Sequence, residues 1–218
     1  MNYIYIDIHT HKSKNKFAIQ NLFHNEHIPC NNRLFSKALH PWHIDESNFN
    51  LQLSELEQEL NLDNIIAIGE CGLDKLKGVD LKIQEKVFEW HINQSEKLKK
   101  PLIIHCVRCF NEIIELKLKF SPNSTWIIHG FNSKVGILQQ LLKHNFHISL
   151  GINILANPKK LKQYLEIIPL DKLFFETDES DIKIEEIYIT ASKGLNIEVP
   201  DLVAIIEANF RKIFDISD

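Results

Sequence analysis

Six side chains of the types that bind metal ions lie at or near the ends of short apolar segments: His9, His11, Glu70, His105, His129 and Asp178. His9 and His11 are two residues apart, so on a strand both side chains leave the same face and can bind one ion. Imidazole and carboxylate groups together accept Mg²⁺, Mn²⁺ or Zn²⁺. The two oxygens of Glu70 allow one carboxylate to bind two ions. The sequence therefore predicts a centre of two divalent ions.

Each of these residues also has a simpler interpretation, which for His9 and His11 is an incidental surface pair. Glu70 fits a helix N-cap or a surface carboxylate, and His105 and His129 fit core histidines bonded to backbone carbonyls. Asp178 fits a turn residue. Glu176 lies on the same strand face as Asp178, so we predict Asp178 as the ligand and Glu176 as the group that orients a ligand histidine.

The apolar segments themselves predict a parallel sheet. Continuous apolar runs such as NIIAIG and PLII are typical of strands buried on both faces, and they alternate with helical patterns. Ligands that follow such strands converge at one end of an α/β barrel. We expect strands at 3–8, 16–23, 34–39, 65–69, 101–105, 125–129, 146–150 and 172–176. Helices are expected at 48–60, 81–98, 113–120, 184–194 and 200–214.

The N-terminal quarter is short for such a barrel. Only 22 residues separate His11 from Leu34, whereas one parallel crossover needs about a dozen residues and usually contains a helix. Two complete βα units do not fit there. We therefore expect a barrel that is distorted or incomplete on that side.

Composition limits the class of protein. With 218 residues, 44% hydrophobic and 25% charged, the chain suits one globular domain over residues 1–218. Its net charge of −4 gives no general attraction for nucleic acid, so a phosphate-bearing partner must be attracted by a local cationic site. Four irregularly spaced cysteines and the absence of a signal-peptide pattern predict a cytoplasmic protein. No segment has the apolar length of a membrane span, and no surface for a protein partner is visible.

The ordered motifs H-x-H, LHPWH, AIGECGLD, KPLIIHCVR, IIHGF, FFETD and EANFRKIF resemble those of the TatD-type metal-dependent deoxyribonucleases over nearly the whole chain. The resemblance implies a distorted (β/α)8 TIM-type barrel. It also implies one divalent ion held by His9, His11, Glu70 and Asp178, and a second held by Glu70, His105 and His129. The substrate-side residues it suggests are His40, His43 and Arg108, the last of which also fits a solvated arginine at a helix start.

The function expected from these features is hydrolysis of phosphodiester bonds at DNA ends, single-stranded or frayed. Water activated by a divalent ion would attack phosphorus, and Asp178 would take or steer the proton of that water. Glu70 is the second predicted catalytic residue. The alternative is hydrolysis of a small ester, lactone, cyclic amide or phosphoester on a similar centre. Glu70 stands where related amidohydrolases often carry a carboxylated lysine, and Asp178 lacks the Asp-x-His of the histidinol-phosphatase type. Both features favour the nuclease.

Overall fold

Among the residues that the structure describes, eight β-strands are hydrogen-bonded to one another in the order in which they occur in the chain, and helices follow most of them. This is the (β/α)8 TIM-barrel class, which confirms the predicted fold. The computed structural model describes residues 3–12, 15, 17–29 and 31–216. Contacts group the chain into two parts, which we call the first part (residues 1–20 and 128–218) and the second part (residues 21–127). The single domain predicted for residues 1–218 stays a prediction.

The strands are β1 (Asp7–Thr10), β2 (Ala18–Phe23), β3 (Leu34–Ala38), β4 (Ile65–Asp74), β5 (Leu102–Val107), β6 (Trp126–Ile128), β7 (His147–Leu150) and β8 (Leu173–Phe175). The α-helices are α1 (Phe49–Glu59), α2 (Leu81–Leu98), α3 (Phe110–Phe120), α4 (Val135–Lys143), α5 (Pro158–Leu165), α6 (Ile184–Leu195) and α7 (Val199–Phe214). Short 3-10 turns cover Pro41–His43, Ile152–Ile154 and Leu170–Lys172. None of the described helices is both long enough and apolar enough to cross a bilayer.

The first two crossovers are short, as the spacing predicts. Within the described residues, no helix lies between β1 and β2 or between β2 and β3. Residue 16, the predicted start of β2, lies outside the described residues. Parallel pairing of β1 with β2, seen at Asp7 with Ala18 and Thr10 with Gln20, is therefore made across a connection of only seven residues.

Three predicted strand limits are wrong, and each error concerns a candidate ligand. β1 begins at Asp7 and includes His9, and β5 continues past His105 to Val107. β4 continues past Glu70 to Asp74 because its register against β5 shifts between Ile68 and Cys71 and pairing then resumes. His9, Glu70 and His105 thus lie within strands, where neighbouring strands restrict the backbone more than a loop would.

Each part has an apolar core. In the first part, Tyr188 of α6 packs against Phe175 of β8 with ring centroids 4.8 Å apart, and its hydroxyl donates to the carbonyl of Ile6. In the second part, Phe88 of α2 packs against Trp126 at 5.5 Å. All of these side chains are buried, so the strands are fixed by helices on their outer side.

One buried histidine in the second part connects α2 to the LHPWH segment. His91 is fully buried, and its Nε2 accepts a hydrogen bond of 3.2 Å from the backbone N–H of Leu39. An Nε2 that accepts requires a neutral ring. Burial lowers the pKa of His91 to about 3.

We predict that the free energy of unfolding decreases as the pH falls, because His91 is buried as a neutral ring. Its pKa lies near 6.5 in the unfolded chain and about 3 in the folded one, so between those values the unfolded state binds the extra proton. The free energy of unfolding then decreases by up to about 1.4 kcal/mol per pH unit below pH 6.5. Urea unfolding of wild type and His91→Gln between pH 7.5 and 5 measures this slope. The slope of the free energy against pH should be shallower in His91→Gln and unchanged in His27→Gln, which replaces an exposed histidine. Equal slopes for wild type and His91→Gln would refute the role of His91.

Candidate metal centre

The first part holds a group of three candidate ligands, His9, His11 and Asp178, that lie within 4.8 Å of one another. Oδ1 of Asp178 lies 3.6 Å from Nε2 of His9 and 3.5 Å from Nε2 of His11. His9 is fully buried, whereas the side chain of Asp178 is 40% exposed. The group therefore has a buried side and a side open to solvent.

Backbone pairing positions this group. The N–H of Asp178 donates to the carbonyl of His9, and the N–H of His11 donates to the carbonyl of Asp178, each at 3.0 Å. These two bonds form a parallel bridge between Thr10, the last residue of β1, and Asp178, three residues after β8. Asp178 has a φ of 55°, a left-handed conformation that Asp adopts more readily than most residues.

Glu176 lies beside the same group. Its Oε1 is 3.2 Å from Nδ1 of His129, and the residue is fully buried. Gly151 gives it room, because a Cβ there would lie 3.3 Å from Cγ of Glu176. The role of Glu176 as a group that orients a ligand histidine stays a prediction. Glu176 also lies close enough to His129 and Asp178 to share an ion with them.

The second part holds another group, composed of His40, Glu70 and His105. Oε1 of Glu70 lies 2.7 Å from Nδ1 of His105 and 3.2 Å from Nε2 of His40. Glu70 is 5% exposed, and its backbone N–H donates to the side chain of Asn21 at 2.7 Å. The simpler interpretations of Glu70 as a helix N-cap or a surface carboxylate are therefore wrong.

Asp74 orients His105 from the opposite side. Its Oδ2 lies 3.1 Å from Nε2 of His105 and accepts a hydrogen bond of 2.7 Å from Nε1–H of Trp42. Burial alone would raise the pKa of Asp74, but the hydrogen bonds from Trp42 and His105 outweigh it and lower the pKa. An ionised Asp74 favours a proton on Nε2 of His105 and leaves the Nδ1 lone pair directed toward Glu70.

His40 occupies a different chemical role from His105. Its Nδ1 accepts a hydrogen bond from the backbone N–H of Trp42 at 3.1 Å, and burial lowers the pKa of His40. The ring is therefore neutral with its proton on Nε2, the atom that faces Glu70. His40 donates to the carboxylate and fixes its orientation, rather than offering a lone pair to an ion.

The other two predicted substrate-side residues lie farther out. His43 is exposed, and its ring packs 4.5 Å from that of Phe23 and 5.6 Å from that of His40. Arg108 is exposed at a φ of 57°, directly after β5. Both are accessible to a substrate, and their contact with one stays a prediction.

Both groups fit a divalent ion. Ligand atoms about 2.1 Å from one ion lie roughly 3.0 to 3.4 Å apart in octahedral or tetrahedral geometry. The distances of 3.5 and 3.6 Å around Asp178, and of 2.7 Å between Glu70 and His105, lie close to that range. Two acceptor atoms 2.7 Å apart also require a proton or a cation between them.

Comparison with known proteins gives the family. A family model described as TatD related DNase matches residues 26–215. The chain belongs to that family. A metal-dependent hydrolase of unassigned function from Buchnera aphidicola (subsp. Baizongia pistaciae) is 35% identical over 150 residues, which cover 67% of this chain and 56% of the relative. A putative deoxyribonuclease, the TATDN1 homolog of Enterocytozoon bieneusi, is 31% identical over 75% of this chain and 62% of its own length.

Among solved structures, a TatD-family hydrolase from Entamoeba histolytica superposes with a TM-score of 0.78 at 19% identity and covers 98% of both chains. YjjV of Escherichia coli, a TatD homolog, superposes with a TM-score of 0.72 at 20% identity, covering 84% of this chain and 78% of that one. Likenesses at this identity show the fold. The alignments with the two TatD-family sequence relatives above extend over somewhat more than half of those proteins' length.

Two residues of the site were not predicted from the sequence. Asp74 closes the AIGECGLD motif, and Asp7 is the first of three alternate residues in D-I-H-T-H, so it shares a strand face with His9. Asp7 is 3% exposed, and its carboxylate accepts hydrogen bonds from the N–H and the hydroxyl of Thr177 at 3.0 and 2.7 Å. A charged residue inside an apolar strand was the available signal for Asp7.

We predict that Asp7 holds Asp178 in place through Thr177. Asp7→Ala removes both bonds to Thr177 and should weaken Mn²⁺ binding about 10- to 100-fold. Asp7→Asn should stay near wild type, since an amide can accept from the N–H and donate to the hydroxyl. Titration calorimetry at pH 8 suits the comparison, because burial raises the pKa of Asp7 to about 7. Wild-type affinity in Asp7→Ala would contradict this role.

Proposed function

We propose that this protein is a divalent-metal-dependent hydrolase of phosphodiester bonds, and specifically a deoxyribonuclease that acts on DNA ends. The observation that carries the proposal is the pair of ligand groups, each preorganised by buried carboxylates, in a chain of the TatD-related DNase family. The relatives described as metal-dependent hydrolases and as a putative deoxyribonuclease support the same reaction.

Two Mg²⁺, Mn²⁺ or Zn²⁺ ions are the proposed cofactors. His9, His11 and Asp178 would hold one of them, and Glu70 with His105 would hold the other. The additional roles predicted for Glu70 as a bridge and for His129 as a ligand of the second ion stay predictions. Two divalent ions with two carboxylates leave a net charge of about +2, which attracts an anionic phosphate to a protein of net charge −4.

Bound divalent ions would lower the pKa of water and neutralise phosphate oxygens. The residues supply the rest of the chemistry. Asp178 is the partly exposed carboxylate, so it can accept the proton of the attacking water. Glu176 and Asp74 keep His129 and His105 oriented. His40 keeps Glu70 oriented by donating from Nε2.

DNA with single-stranded or frayed ends is the proposed substrate, as predicted from the sequence. One relative, the human protein named 3'-5' RNA nuclease TATDN2, is 32% identical over 58% of this chain and 18% of its own length, so RNA belongs in the test. The cytoplasmic location predicted from the cysteine pattern stays a prediction; Cys71, Cys106 and Cys109 are free thiols.

We expect end-labelled single-stranded DNA to be digested with Mg²⁺ or Mn²⁺ and not with chelator. Asp178→Asn should reduce the rate by at least about a hundredfold, since the amide cannot take a proton and binds the ion weakly. The matched control is Asp201→Asn, which removes an exposed carboxylate in the first turn of α7 and should keep wild-type activity.

An RNA oligonucleotide and a frayed duplex of the same sequence complete the assay. Digestion of DNA that persists fully in Asp178→Asn would refute the proposed role of Asp178. Absence of digestion of every nucleic acid, with metal shown to be bound, would refute the nuclease and favour a small-molecule ester, lactone or phosphoester as substrate.

A separate prediction concerns the number of ions. Wild-type protein dialysed against Mn²⁺ should bind two ions per chain by elemental analysis. His11→Ala removes a ligand of one group and His105→Ala a ligand of the other, so each variant should retain about one ion. A variant that loses both ions, or neither, would contradict two separately bound ions. His144→Ala, on a histidine at the end of α4, serves as the control.

A further inference from the structure

Two large apolar side chains are exposed beside the second ligand group. Trp42 is 39% exposed and Leu76 is 63% exposed. Trp42 precedes His43 in the 3-10 turn Pro41–His43, and Leu76 follows β4 by two residues. Lys77, also exposed, places its Nζ 3.5 Å from the centroid of the Trp42 ring. We call Trp42, Leu76 and Lys77 the Trp42 ledge.

One carboxylate holds all three members of the ledge. Oδ2 of Asp74 accepts from the indole N–H of Trp42 at 2.7 Å. Oδ1 of Asp74 accepts from the backbone N–H groups of Leu76 and Lys77 at 2.7 and 3.1 Å. Because Asp74 also contacts His105, the ledge is tied directly to the candidate ligand.

Hydrogen bonds and backbone packing hold the loop that follows β4 and carries Leu76 and Lys77. Buried Gln84 of α2 accepts from the N–H of Asp74 at 2.8 Å and donates to the carbonyls of Asp74 and Val79 at 3.0 and 2.8 Å. Gly78, at a φ of 97°, packs against the backbone of Pro41, where a Cβ would lie 2.5 Å from the carbonyl oxygen. The exposed indole is therefore a preorganised surface.

The ledge lies close to the position of the proposed chemistry. The Trp42 ring centroid is 5.5 Å from that of His105 and 4.8 Å from that of His40. The polar edge of the indole is occupied by Asp74, so Trp42 offers ring surface rather than a hydrogen bond. The ammonium of Lys77 lies on an exposed, flexible stem and can leave the ring for a phosphate nearby.

We propose that the Trp42 ledge binds the nucleobase next to the scissile phosphate, with the base stacked on Trp42 and Lys77 in contact with a backbone phosphate. This inference rests on the proposed nuclease function and adds a substrate contact to it. Every base has a π-face, so stacking on an indole gives affinity for single strands without sequence preference.

The test compares two single-stranded oligonucleotides that differ only at the terminal nucleotide, which is intact in one and an abasic tetrahydrofuran in the other. Wild type should prefer the intact end by about tenfold to a hundredfold in kcat/KM. Trp42→Ala should bring that ratio close to one. Trp42→Phe should keep much of the ratio, because it retains a ring although it loses the hydrogen bond to Asp74.

The ratio separates stacking from damage to the site. A merely structural Trp42 would lower the rates on both oligonucleotides equally in Trp42→Ala and leave the ratio unchanged, which would overturn the inference. Lys77→Gln should lower the rates on both substrates about equally, since both retain phosphates. Trp90→Phe, on a partly buried residue of α2, is the matched control and should keep the wild-type ratio.

Binding of the same two oligonucleotides to Asp178→Asn, followed by tryptophan fluorescence, tests the ledge independently of turnover. The oligonucleotide with the intact end should quench the fluorescence and bind more tightly. The quenching should be lost in the double variant Asp178→Asn/Trp42→Phe, and the tighter binding should be lost in Asp178→Asn/Trp42→Ala. Both results would support the ledge. Equal binding of both oligonucleotides would overturn the ledge. Failure of the proposed function is recognised separately, as absence of cleavage of either oligonucleotide by wild type.

Discussion

The burial of carboxylates is the constraint on which the site depends. Asp7, Glu70, Asp74 and Glu176 are each at most 5% exposed. A buried carboxylate is costly unless hydrogen bonds or a cation compensate for the loss of water. Hydrogen bonds compensate three of them: Asp7 accepts from Thr177, Glu70 accepts from His40, and Asp74 accepts from Trp42 and His105. Glu176 faces Nδ1 of His129. The imidazoles that face these carboxylates are thereby held in one orientation, which is the preorganisation that a metal centre requires.

Backbone pairing positions the candidate ligands next to these carboxylates. In the first part, the bridge between Thr10 and Asp178 pairs the end of β1 with the backbone three residues after β8, and the two backbone hydrogen bonds of Asp178 hold it against His9 and His11. In the second part, β4 continues past Glu70 and pairs with β5 on both sides of the register shift. Ligands that lie within or directly against paired strands lose little entropy when an ion binds, because their backbone is already fixed.

Asp74 connects ligand orientation to substrate contact. The same carboxylate accepts bonds from His105, from the indole of Trp42 and from the backbone of the loop that carries Lys77. A disturbance of the ledge is therefore transmitted to the ligand histidine, and loss of Asp74 would affect both. This coupling explains why the ratio between two substrates, rather than a single rate, is the informative quantity for Trp42.

The sequence by itself determined the fold class, the order of the strands and the residue types of the metal centre, because buried parallel strands have a continuous apolar pattern and polar residues inside or beside them are conspicuous. It predicted five of the seven described α-helices and missed α4 and α5. It also indicated that the first crossovers are too short for helices. The limits of β1, β4 and β5 were decided by pairing with neighbouring strands, which the pattern of one strand does not contain. The roles of Asp7, Asp74 and His40 were decided only by the tertiary structure: their partners, Thr177, His105 and Glu70, lie 30 or more residues away in the chain, and hydrogen bonds over that separation depend on how the elements pack.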